Sequence, residues 1–583
     1  MECTRTEIPG FGFDATAQWA LGGAQRRLRE KSPALRRIER EAKPKNPVNV
    51  TLKHVLLNRI TWLAVLIGIS AALDIFVALS MSRTTDESRH LQYGTRILHF
   101  LPDRDNSFDS QMPLSALNAL PGAIGFYLDQ HGLDSHAGAM LKDFRTARFA
   151  TILATLVLTI LIYFWARDLY GSGPALAASL LCTLSPNLVA HGTLVTTDMY
   201  AALAVVGALF FFRRFILSPT VPNALSSGLA LALAQIAKSF AIVLYAIVGV
   251  VILWALFRHS GLPPALTRQR LLAYAAIAAT CFVVVINIAY CFDRSFTPLS
   301  SYRFEAALFT RFQEVPVISE LPVPVPYPFL QGLDMMKNND ETGATFGNVY
   351  LLGNLGDATN PQFHGFKSYY CVALFFKEPI PLQILFIWGL VWILRHRSGI
   401  GFLFGEGLLL LSAAVLLLWL SCFSRAQLGI RYILPVLAIE IVIASAAFSG
   451  FSSATWARKA CLSSLVLWLA ISFASYYPHM IPYMNEWSGD RRQSFRVLAD
   501  SNLDWGQNEA LVAEFLARNP DVILNPPKPV SGRILVNANR LTGVDRWNPT
   551  LRYMEKYTPI AHVGYAHFLF VVPSLADITS SAH

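Results

Sequence analysis

Two adjacent acidic residues, Asp86 and Glu87, directly follow the first long apolar stretch of the chain, Thr61 to Ser82. Carboxylates are costly close to hydrocarbon, so acidic side chains at the end of a membrane span usually have a task. A carboxylate in that position can act as a general base that takes a proton from a substrate hydroxyl. The alternative is that both are solvated loop charges that mark the end of the helix.

Four more charged residues interrupt or border apolar stretches: Asp198, Lys238, Lys377 and Arg431. Lys and Arg side chains can hold the oxyanion of a phosphate, so these bases beside two acids would suit chemistry on a phosphate ester. Each also has a structural alternative. Lys238 can extend its ammonium towards the membrane surface, Arg431 can anchor lipid headgroups, and Asp198 can cap the helix that follows it.

The elements that must position these residues are membrane spans. The chain is 54% hydrophobic and 15% charged over 583 residues, which is too apolar for a soluble globular protein. A span needs about 20 mostly apolar residues, and about eleven runs meet that requirement. The runs cover residues 61–82, 147–166, 174–190, 199–213, 222–237, 239–257, 271–290, 379–394, 403–422, 432–449 and 460–476. An odd number of spans puts the two termini on opposite faces.

The distribution of Lys and Arg predicts the orientation, because cytoplasmic links are enriched in both. The basic segment before the first span includes Arg26, Arg36 and Arg40. It either lies on anionic lipid as a surface helix or is a solvated tail, and in both cases it is expected to be cytoplasmic. The links that carry Arg167, Arg213, Arg268, Arg395 and Arg458 then share that face.

This topology brings the charged residues to one face. Asp86 and Asp198 become external, and Lys238 marks an external turn because the 37-residue apolar run around it is long enough for two spans. The same count of spans places Lys377 and Arg431 on the external face. Two acids and three bases at one membrane face suggest chemistry on a lipid-linked phosphate at the outer leaflet.

Three segments are not spans. Residues 83–145 and 293–368 are predicted to be external loops, and the length of the second suggests a lid or a substrate-binding loop. Residues 477–583 are long enough for a small domain, with a helix near Asn508–Arg518 and strands near Arg533–Val536 and His567–Val572. The predicted fold is therefore an all-α polytopic membrane domain, residues 61–476, between a basic cytoplasmic segment, residues 1–60, and a small α/β extracytoplasmic domain.

The chain lacks the sequence motifs of several common classes of enzyme and of zinc sites. The chain has no P-loop, no G-x-G-x-x-G segment before a helix, no G-x-S-x-G elbow and no Cys/His cluster with zinc spacing. The net charge of +10 is explained by topology and contact with membrane lipids, and no nucleic-acid motif is present.

A series of blocks resembles the GT-C superfamily of membrane glycosyltransferases, and specifically its family 39-like, polyprenyl-phosphate-dependent members, such as protein O-mannosyltransferases and aminoarabinose transferases. The blocks occur in the order of that family between about residues 61 and 572. They are Asp86-Glu87 with His90 and Gly94, Leu184 to Asp198, Ala237-Lys238-Ser239, Tyr369-Tyr370 with Lys377 to Pro381, Gly429 to Pro435, and Leu498 to Gln507.

The resemblance implies an integral membrane enzyme that transfers a sugar from a polyprenyl-phosphate donor to an acceptor hydroxyl with inversion. Asp86 would be the base, and Glu87 would orient the acceptor or tune Asp86. The donor phosphate would contact Lys238, Lys377 and Arg431. The remaining matched residues would bind acceptor or sugar: His90, Asp198, Tyr370, Asn502 and Asp504. No metal or other cofactor is expected, although Asp86 with Asp198 would suit a divalent cation.

The chain also departs from the family pattern. Many relatives have Glu-His-Pro-Pro in the first loop, whereas this chain has Asp109-Ser-Gln-Met-Pro113. The acceptor stays open between protein, glycolipid and polysaccharide, and the expected location is the plasma or bacterial inner membrane. A lipid-linked glycan flippase and a non-catalytic scaffold are the alternatives. A flippase would spread charges through the bilayer depth, and a scaffold gains nothing from charges at the membrane edge.

Overall fold

The computed structural model of the chain describes residues 48–104, 110–257, 263, 265–397 and 399–573. By internal contacts the chain divides into residues 1–62 and residues 63–583. The first unit contributes the beginning of the helix Val48–Ser80. The basic residues Arg26 to Arg40 lie outside the described residues, as does Asp109 of the altered first-loop block.

Most of the second unit consists of apolar helices. Eight described helices are long and apolar enough to cross a membrane, two bent helix pairs would each pass the same test as one span, and one apolar helix is slightly shorter. The eight are Arg59–Ser80, Phe144–Tyr170, Asp198–Leu217, Ser239–Phe257, Arg268–Ala289, Gly401–Phe423, Ile430–Ser453 and Trp456–Ala474. The bent pairs are Ser172–Thr183 with Pro186–Gly192 and Tyr369–Lys377 with Ile380–His396, and the shorter helix is Val221–Ala237.

These helices coincide one by one with the runs predicted from the sequence, so the polytopic helical fold is confirmed. The run 174–190 contains a bend of 62°, and a bend of 109° separates the helix Tyr369–Lys377 from the helix Ile380–His396 at the start of the run 379–394. Both bends occur next to a proline, Pro186 and Pro379, which lacks the amide proton that a continuous helix requires. The long run from Val221 to Phe257 does break at Lys238, as its length predicted.

The span Ile430–Ser453 forms the centre of the helical core, since 89% of its apolar window is buried inside the protein. It packs against the spans Phe144–Tyr170 and Asp198–Leu217 and against the helix Ile380–His396. Its first turn carries Arg431, so the innermost span also holds a charged residue at the end of the bundle. Its neighbours fix that end in place.

The two predicted external loops contain short helices of their own. The first loop has the helices Glu87–Leu98, Ser115–Gln130 and Ser135–Lys142. The second has Ala307–Gln313, Pro316–Ser319 and Tyr327–Thr342, followed by an antiparallel pair of strands, β1 (Val349–Leu351) and β2 (Asn354–Gly356).

The C-terminal segment forms a mixed four-stranded sheet. Its strands are β3 (Val522–Leu524), β4 (Gly532–Asn537), β5 (Ala561–Val563) and β6 (His567–Val572), in the order β3-β4-β6-β5. β3 and β4 are parallel, and the other pairs are antiparallel. The helices Glu509–Arg518 and Ala538–Thr542 accompany the sheet. The predicted helix and both predicted strands are confirmed within one residue at each end.

Candidate functional site

Asp86 immediately precedes the helix Glu87–Leu98, and its backbone carbonyl accepts hydrogen bonds from the amides of Arg89 and His90, both at 3.1 Å. Its side chain does not cap the helix. The carboxylate instead accepts a hydrogen bond from Arg431 Nη1 on Oδ2 at 3.1 Å. The side chain of Asp86 therefore lies at a helix N-terminus, which attracts negative charge, and its contact there is with Arg431 and not with the backbone amides of the helix.

Four of the five predicted charges form one row of alternating sign. Lys238 donates a hydrogen bond to Oδ1 of Asp198, and Arg431 Nη1 lies 4.0 Å from Oδ2 of the same carboxylate. Arg431 then pairs with Asp86. The sequence predicted that these residues share a membrane face, and the structure brings them into contact. We call Lys238, Asp198, Arg431 and Asp86 the charge row.

Arg431 is positioned by the backbone just before it. Gly429 has a φ of 93°, a value that only glycine adopts easily. The amide of Gly429 donates to the hydroxyl of Tyr369 at 3.0 Å, and the amide of Ile430 donates to Oδ1 of Asn502 at 3.0 Å. Asn502 is fully buried and thus holds the turn that carries Arg431. The structure thus gives Asn502 a positioning role, and its predicted contact with acceptor or sugar stays a prediction.

Trp505 connects the C-terminal segment to both ends of the site. The guanidinium of Arg431 lies 4.1 Å from the centre of its ring, a cation–π arrangement. The backbone carbonyl of Trp505 accepts hydrogen bonds from the amide and the hydroxyl of Thr85, at 2.9 and 3.2 Å. One residue therefore contacts Arg431 with its ring and holds the residue before Asp86 with its backbone.

Glu87 has a different environment from the one predicted. Its carboxylate is fully buried and accepts two hydrogen bonds from Arg148, at 2.9 and 2.7 Å. It also accepts the amides of Thr84 and Val195, both at 2.8 Å. Because all its contacts are with these internal donors, Glu87 fastens the segments before Asp86 and Asp198 together. A direct contact with an acceptor is not supported by this placement.

Lys377 also has buried contacts within the protein. Its ammonium is fully buried and donates to the carbonyls of Ile481 and Asn502, at 2.6 and 2.7 Å. It lines neither of the two cavities described below. A buried ammonium that donates to two carbonyls holds the two segments together, and a contact of Lys377 with a donor phosphate stays a prediction.

A cavity of about 1060 Å³ borders the charge row, and we call it the polar cavity because many of its lining side chains are charged or polar. Asp86 and Arg431 form part of its wall, and Trp505 lies beside them. The rest of the wall comes largely from the second loop and the C-terminal domain, including Phe346, Asp500, Asp504, Asn537, Asn539, Arg540, Trp547 and His567. Burial raises the pKa of the Asp500 carboxyl, an effect that the charge of Arg431 opposes.

A second cavity of about 420 Å³ is mostly apolar. Lys238 is part of its wall, together with aromatic and aliphatic side chains that include Phe240, Leu308, Phe309, Trp419 and Phe423. Both cavities are lined by Ser110, Phe346, Ala426 and Tyr432. The two cavities thus adjoin at these shared residues. The apolar cavity borders the charge row at Lys238, and the polar cavity borders it at Arg431 and Asp86. Tyr432 lies between them, and its ring is 4.5 Å from the ammonium of Lys238.

The other predicted residues surround this junction. Asp504 lines the polar cavity and accepts a hydrogen bond from Asn537. Tyr370 is buried, and its hydroxyl donates to the carbonyl of Ala426 at 3.2 Å, so it supports the wall rather than lining it. His90 is also buried. Burial lowers the pKa of the His90 imidazole to about 4, although the charges of Asp86 and Asp198 oppose this shift.

The stretch that leads into Asp198 carries unused hydrogen-bonding capacity. Nδ1 of His191 and the hydroxyls of Thr196 and Thr197 are buried, and none has a hydrogen-bond partner among the described residues. Buried polar groups are normally satisfied, so these atoms are available to water or to a ligand. Within the described part of the chain, no group of three His, Cys, Asp or Glu side chains could hold a metal ion.

Three residues at or near the site were not predicted from the sequence: Trp505, Tyr432 and Arg148. Trp505 and Tyr432 lie inside blocks that the resemblance had marked, so a signal for both was present. Arg148 had no specific signal in the sequence. An Arg near the start of a span is equally typical of a residue that only sets the orientation of that span in the membrane. Its pairing with Glu87, 61 positions earlier in the chain, depends on the packing of two helices.

Comparison with protein families gives one match. Residues 138–290 match the model of the dolichyl-phosphate-mannose-protein mannosyltransferase family. This segment is about a quarter of the chain and contains Arg148, Asp198 and Lys238. The resemblance predicted from the sequence is confirmed over this segment. The comparison with curated proteins gave no match.

Two solved structures are similar to this chain at low identity. ArnT from Cupriavidus metallidurans bound to undecaprenyl phosphate is 12% identical, with 88% of this chain and 98% of that chain covered and a TM-score of 0.45. The apo oligosaccharyltransferase of Archaeoglobus fulgidus is 15% identical, with 72% of this chain covered and a TM-score of 0.46. This chain spans only 56% of the length of the oligosaccharyltransferase.

Proposed function

We propose that this protein is a membrane glycosyltransferase that transfers a sugar from a polyprenyl-phosphate donor to the hydroxyl of a glycan, lipid or protein acceptor. The observation that carries the proposal is that an apolar and a polar cavity adjoin and both border the charge row. A lipid-linked sugar has an apolar chain, an anionic phosphate and a polar sugar, and it needs three such environments in that order.

The apolar cavity would receive the part of the lipid next to the phosphate. Lys238 borders this cavity and Arg431 borders the polar one, so both can reach a phosphate at the junction. Their positive charge would stabilise the negative charge that develops on the leaving phosphate in the transition state. The acceptor and the transferred sugar would occupy the polar cavity, where Asp86 is part of the wall.

The reaction then needs one base and no covalent intermediate. The acceptor hydroxyl gives its proton to Asp86, and its oxygen forms a bond to the anomeric carbon of the sugar. The bond from that carbon to the phosphate oxygen breaks, and the lipid phosphate leaves with the electron pair. Attack from the side opposite the phosphate inverts the anomeric centre. Asp198 contacts both Lys238 and Arg431, and its negative charge offsets the repulsion between the two cations.

The family match supports the class of donor. The matched model is named for a dolichyl-phosphate-linked sugar, and the matched segment includes Asp198 and Lys238 of the charge row. We further propose that the site faces the extracytoplasmic side, as the distribution of Lys and Arg in the short links indicates.

The proposal is tested by reconstituting the full chain in lipid vesicles with a panel of polyprenyl-phosphate sugars and candidate acceptors. Release of lipid phosphate is the readout. We expect release with at least one donor, no loss of activity in EDTA, and a drop of about 100-fold or more in the Asp86→Asn variant, since a general base contributes about 10² to 10⁴ in rate.

Asp103→Asn is the matched control, because Asp103 is an exposed first-loop carboxylate that lines neither cavity. The control should retain the activity of the unmodified chain. Turnover of the Asp86→Asn variant at the control rate would remove Asp86 as the base. A complete absence of release across the panel would contradict the donor class.

A further inference from the structure

The second loop contains a small folded excursion that we call the flap, residues 299–321. Its base is closed by backbone hydrogen bonds from Phe296 to the carbonyl of Val323 at 2.9 Å and from Val323 to the carbonyl of Thr297 at 3.2 Å. The excursion is therefore a defined unit with two short helices, Ala307–Gln313 and Pro316–Ser319. It is not a simple connector.

The flap has a firm attachment on one side. The buried carboxylate of Asp334 accepts the amides of Glu305 and Ala306, both at 3.0 Å. The ring of Tyr302 stacks on Tyr327 with 4.3 Å between ring centres. Leu308 and Phe309 then form part of the wall of the apolar cavity. One side of the flap thus belongs to the proposed donor site.

The other side of the flap is unusually apolar for a surface. Four large apolar side chains within ten residues are exposed and line neither cavity: Phe312 at 46%, Val315 at 42%, Val317 at 77% and Leu321 at 54%. Large contiguous apolar patches on a protein surface mark contacts with another apolar phase. Arg311, Glu314 and Glu320 alternate with these residues and are exposed as well, so the segment is amphipathic.

The position of the flap indicates which phase covers it. The span Arg268–Ala289 ends seven residues before the base of the flap, and the exposed Phe292 and Phe296 lie between the two. Trp419 and Phe423, which line the same apolar cavity as Leu308 and Phe309, are exposed at the end of the span Gly401–Phe423. The flap therefore follows the exposed end of one span in the chain and shares a cavity with the exposed end of another.

We propose that the flap is inserted in the membrane interface and forms the lipid-side wall of the apolar cavity. Its apolar side chains lie among the acyl chains, while Arg311, Glu314 and Glu320 lie at the level of the headgroups, which is the arrangement of an interfacial amphipathic helix. The insertion itself does not depend on the proposed function. Its consequence, that a lipid donor reaches the site sideways from the bilayer beneath the flap, rests on that function.

The insertion is tested with the full chain, depleted of cysteine, carrying a nitroxide spin label at Val317→Cys and reconstituted in phosphatidylcholine and phosphatidylglycerol vesicles. The ratio of oxygen to nickel-chelate accessibility reports whether the label is in lipid or in water. We expect this ratio to be several-fold higher at position 317 than at Ile523→Cys, an exposed apolar position on β3 of the C-terminal domain. Equal, water-like ratios at the two positions would overturn the proposal, as would a label at 317 shielded from both reagents.

The consequence for the donor has a separate test. Val317→Asp should slow release from a long-chain polyprenyl donor in vesicles several-fold, while leaving turnover of a short-chain, water-soluble analogue unchanged. Val317 lines neither cavity, so the site itself is not altered. If Val317→Asp and the unmodified protein release phosphate from the long-chain donor at the same rate, the flap has no part in donor access. The unmodified protein could instead release phosphate from neither donor while the nitroxide at position 317 reports a lipid environment. That result would contradict the proposed function and leave the insertion of the flap intact.

Discussion

At the residue scale, Asp86 and Glu87 are neighbours with opposite surroundings. Asp86 is part of the wall of the polar cavity, whereas Glu87 is fully buried and bound to Arg148. Successive residues at the start of a helix point in directions about 100° apart, so adjacent carboxylates separate easily into a reactive and a structural group. The sequence predicted that an acidic pair matters here, but it could not assign the two roles.

The buried pair of Glu87 and Arg148 should contribute strongly to stability. Glu87→Gln leaves an uncompensated guanidinium in the protein, and we expect a loss of about 3 to 5 kcal/mol in the free energy of unfolding. The measurement is equilibrium unfolding in detergent micelles. Glu514→Gln is the control, since Glu514 pairs with Arg518 at an exposed position, where an ion pair contributes less than about 1 kcal/mol. Equal effects of the two substitutions would contradict the structural role of Glu87.

His90 should make stability sensitive to acid. Its pKa in the folded protein is about 4 and its ordinary value is 6.5, so the unfolded chain takes up the proton first as the pH falls. The contribution of the neutral imidazole is complete above about pH 6.5 and is lost progressively towards pH 4. The size of this loss is about 3 kcal/mol.

The check for His90 is a comparison of unfolding free energies across that pH range for the unmodified protein and for His90→Asn. The difference between the two proteins should narrow as the pH falls, because asparagine does not titrate. A difference that stays constant with pH would show that the proton binds elsewhere.

At the scale of elements, the turn from Leu428 to Ile433 decides where Arg431 points. A Cβ at Gly429 would lie 2.6 Å from Oγ of Ser501, and the φ of 93° is strained for any other residue. We expect Gly429→Ala to cost about 1 to 3 kcal/mol of stability from the backbone alone and to lower transfer by displacing Arg431. Unfolding and lipid-phosphate release measure the two effects.

Gly353 provides the matched control for this turn. Its φ is 83°, but a Cβ there would meet open space. Gly353→Ala should therefore show a similar strain with normal transfer. Loss of transfer in both variants to the same degree would mean that activity follows stability and not the position of Arg431.

The elements were largely predictable from the sequence, and their interruptions were less so. Lys238 inside a long apolar run predicted the break between two helices, since a charge at mid-membrane is costly. The bends at Pro186 and Pro379 had a local signal as well, but hydropathy alone merges each pair into one span. The flap had no such signal, because the exposure of Val317 and its neighbours depends on how the second loop folds back on itself.

At the scale of the whole molecule, the C-terminal domain is part of the site and not an appendage. The segment from Leu498 to Gln507 precedes the sheet in the chain. It contacts Arg431 through Trp505 and the turn before Arg431 through Asn502. Lys377 binds the backbone of Asn502 as well as that of Ile481. The order of the family blocks in the sequence marked this segment as part of the site. Which way each of its side chains points could be learned only from the folded structure.

Lys377 offers a test of this integration. Lys377→Met leaves two buried carbonyls without partners, and we expect a loss of about 2 to 5 kcal/mol in unfolding free energy. Lys367→Met is the control, because Lys367 is exposed and donates to one backbone carbonyl, that of Cys422. A role in donor binding would instead raise the KM for the donor at unchanged stability. That result would support the role predicted from the sequence.

The charge row has a kinetic consequence. Two cations and two anions in alternation sum to zero, so the resting protein keeps Asp86 neutralised by Arg431. Under the proposed function, an arriving phosphate would compete for the same guanidinium, and Asp86 would lose this partner as the phosphate gains it. The row would then set an order of substrate arrival, in which the leaving group frees the carboxylate of Asp86 before the acceptor hydroxyl reaches it.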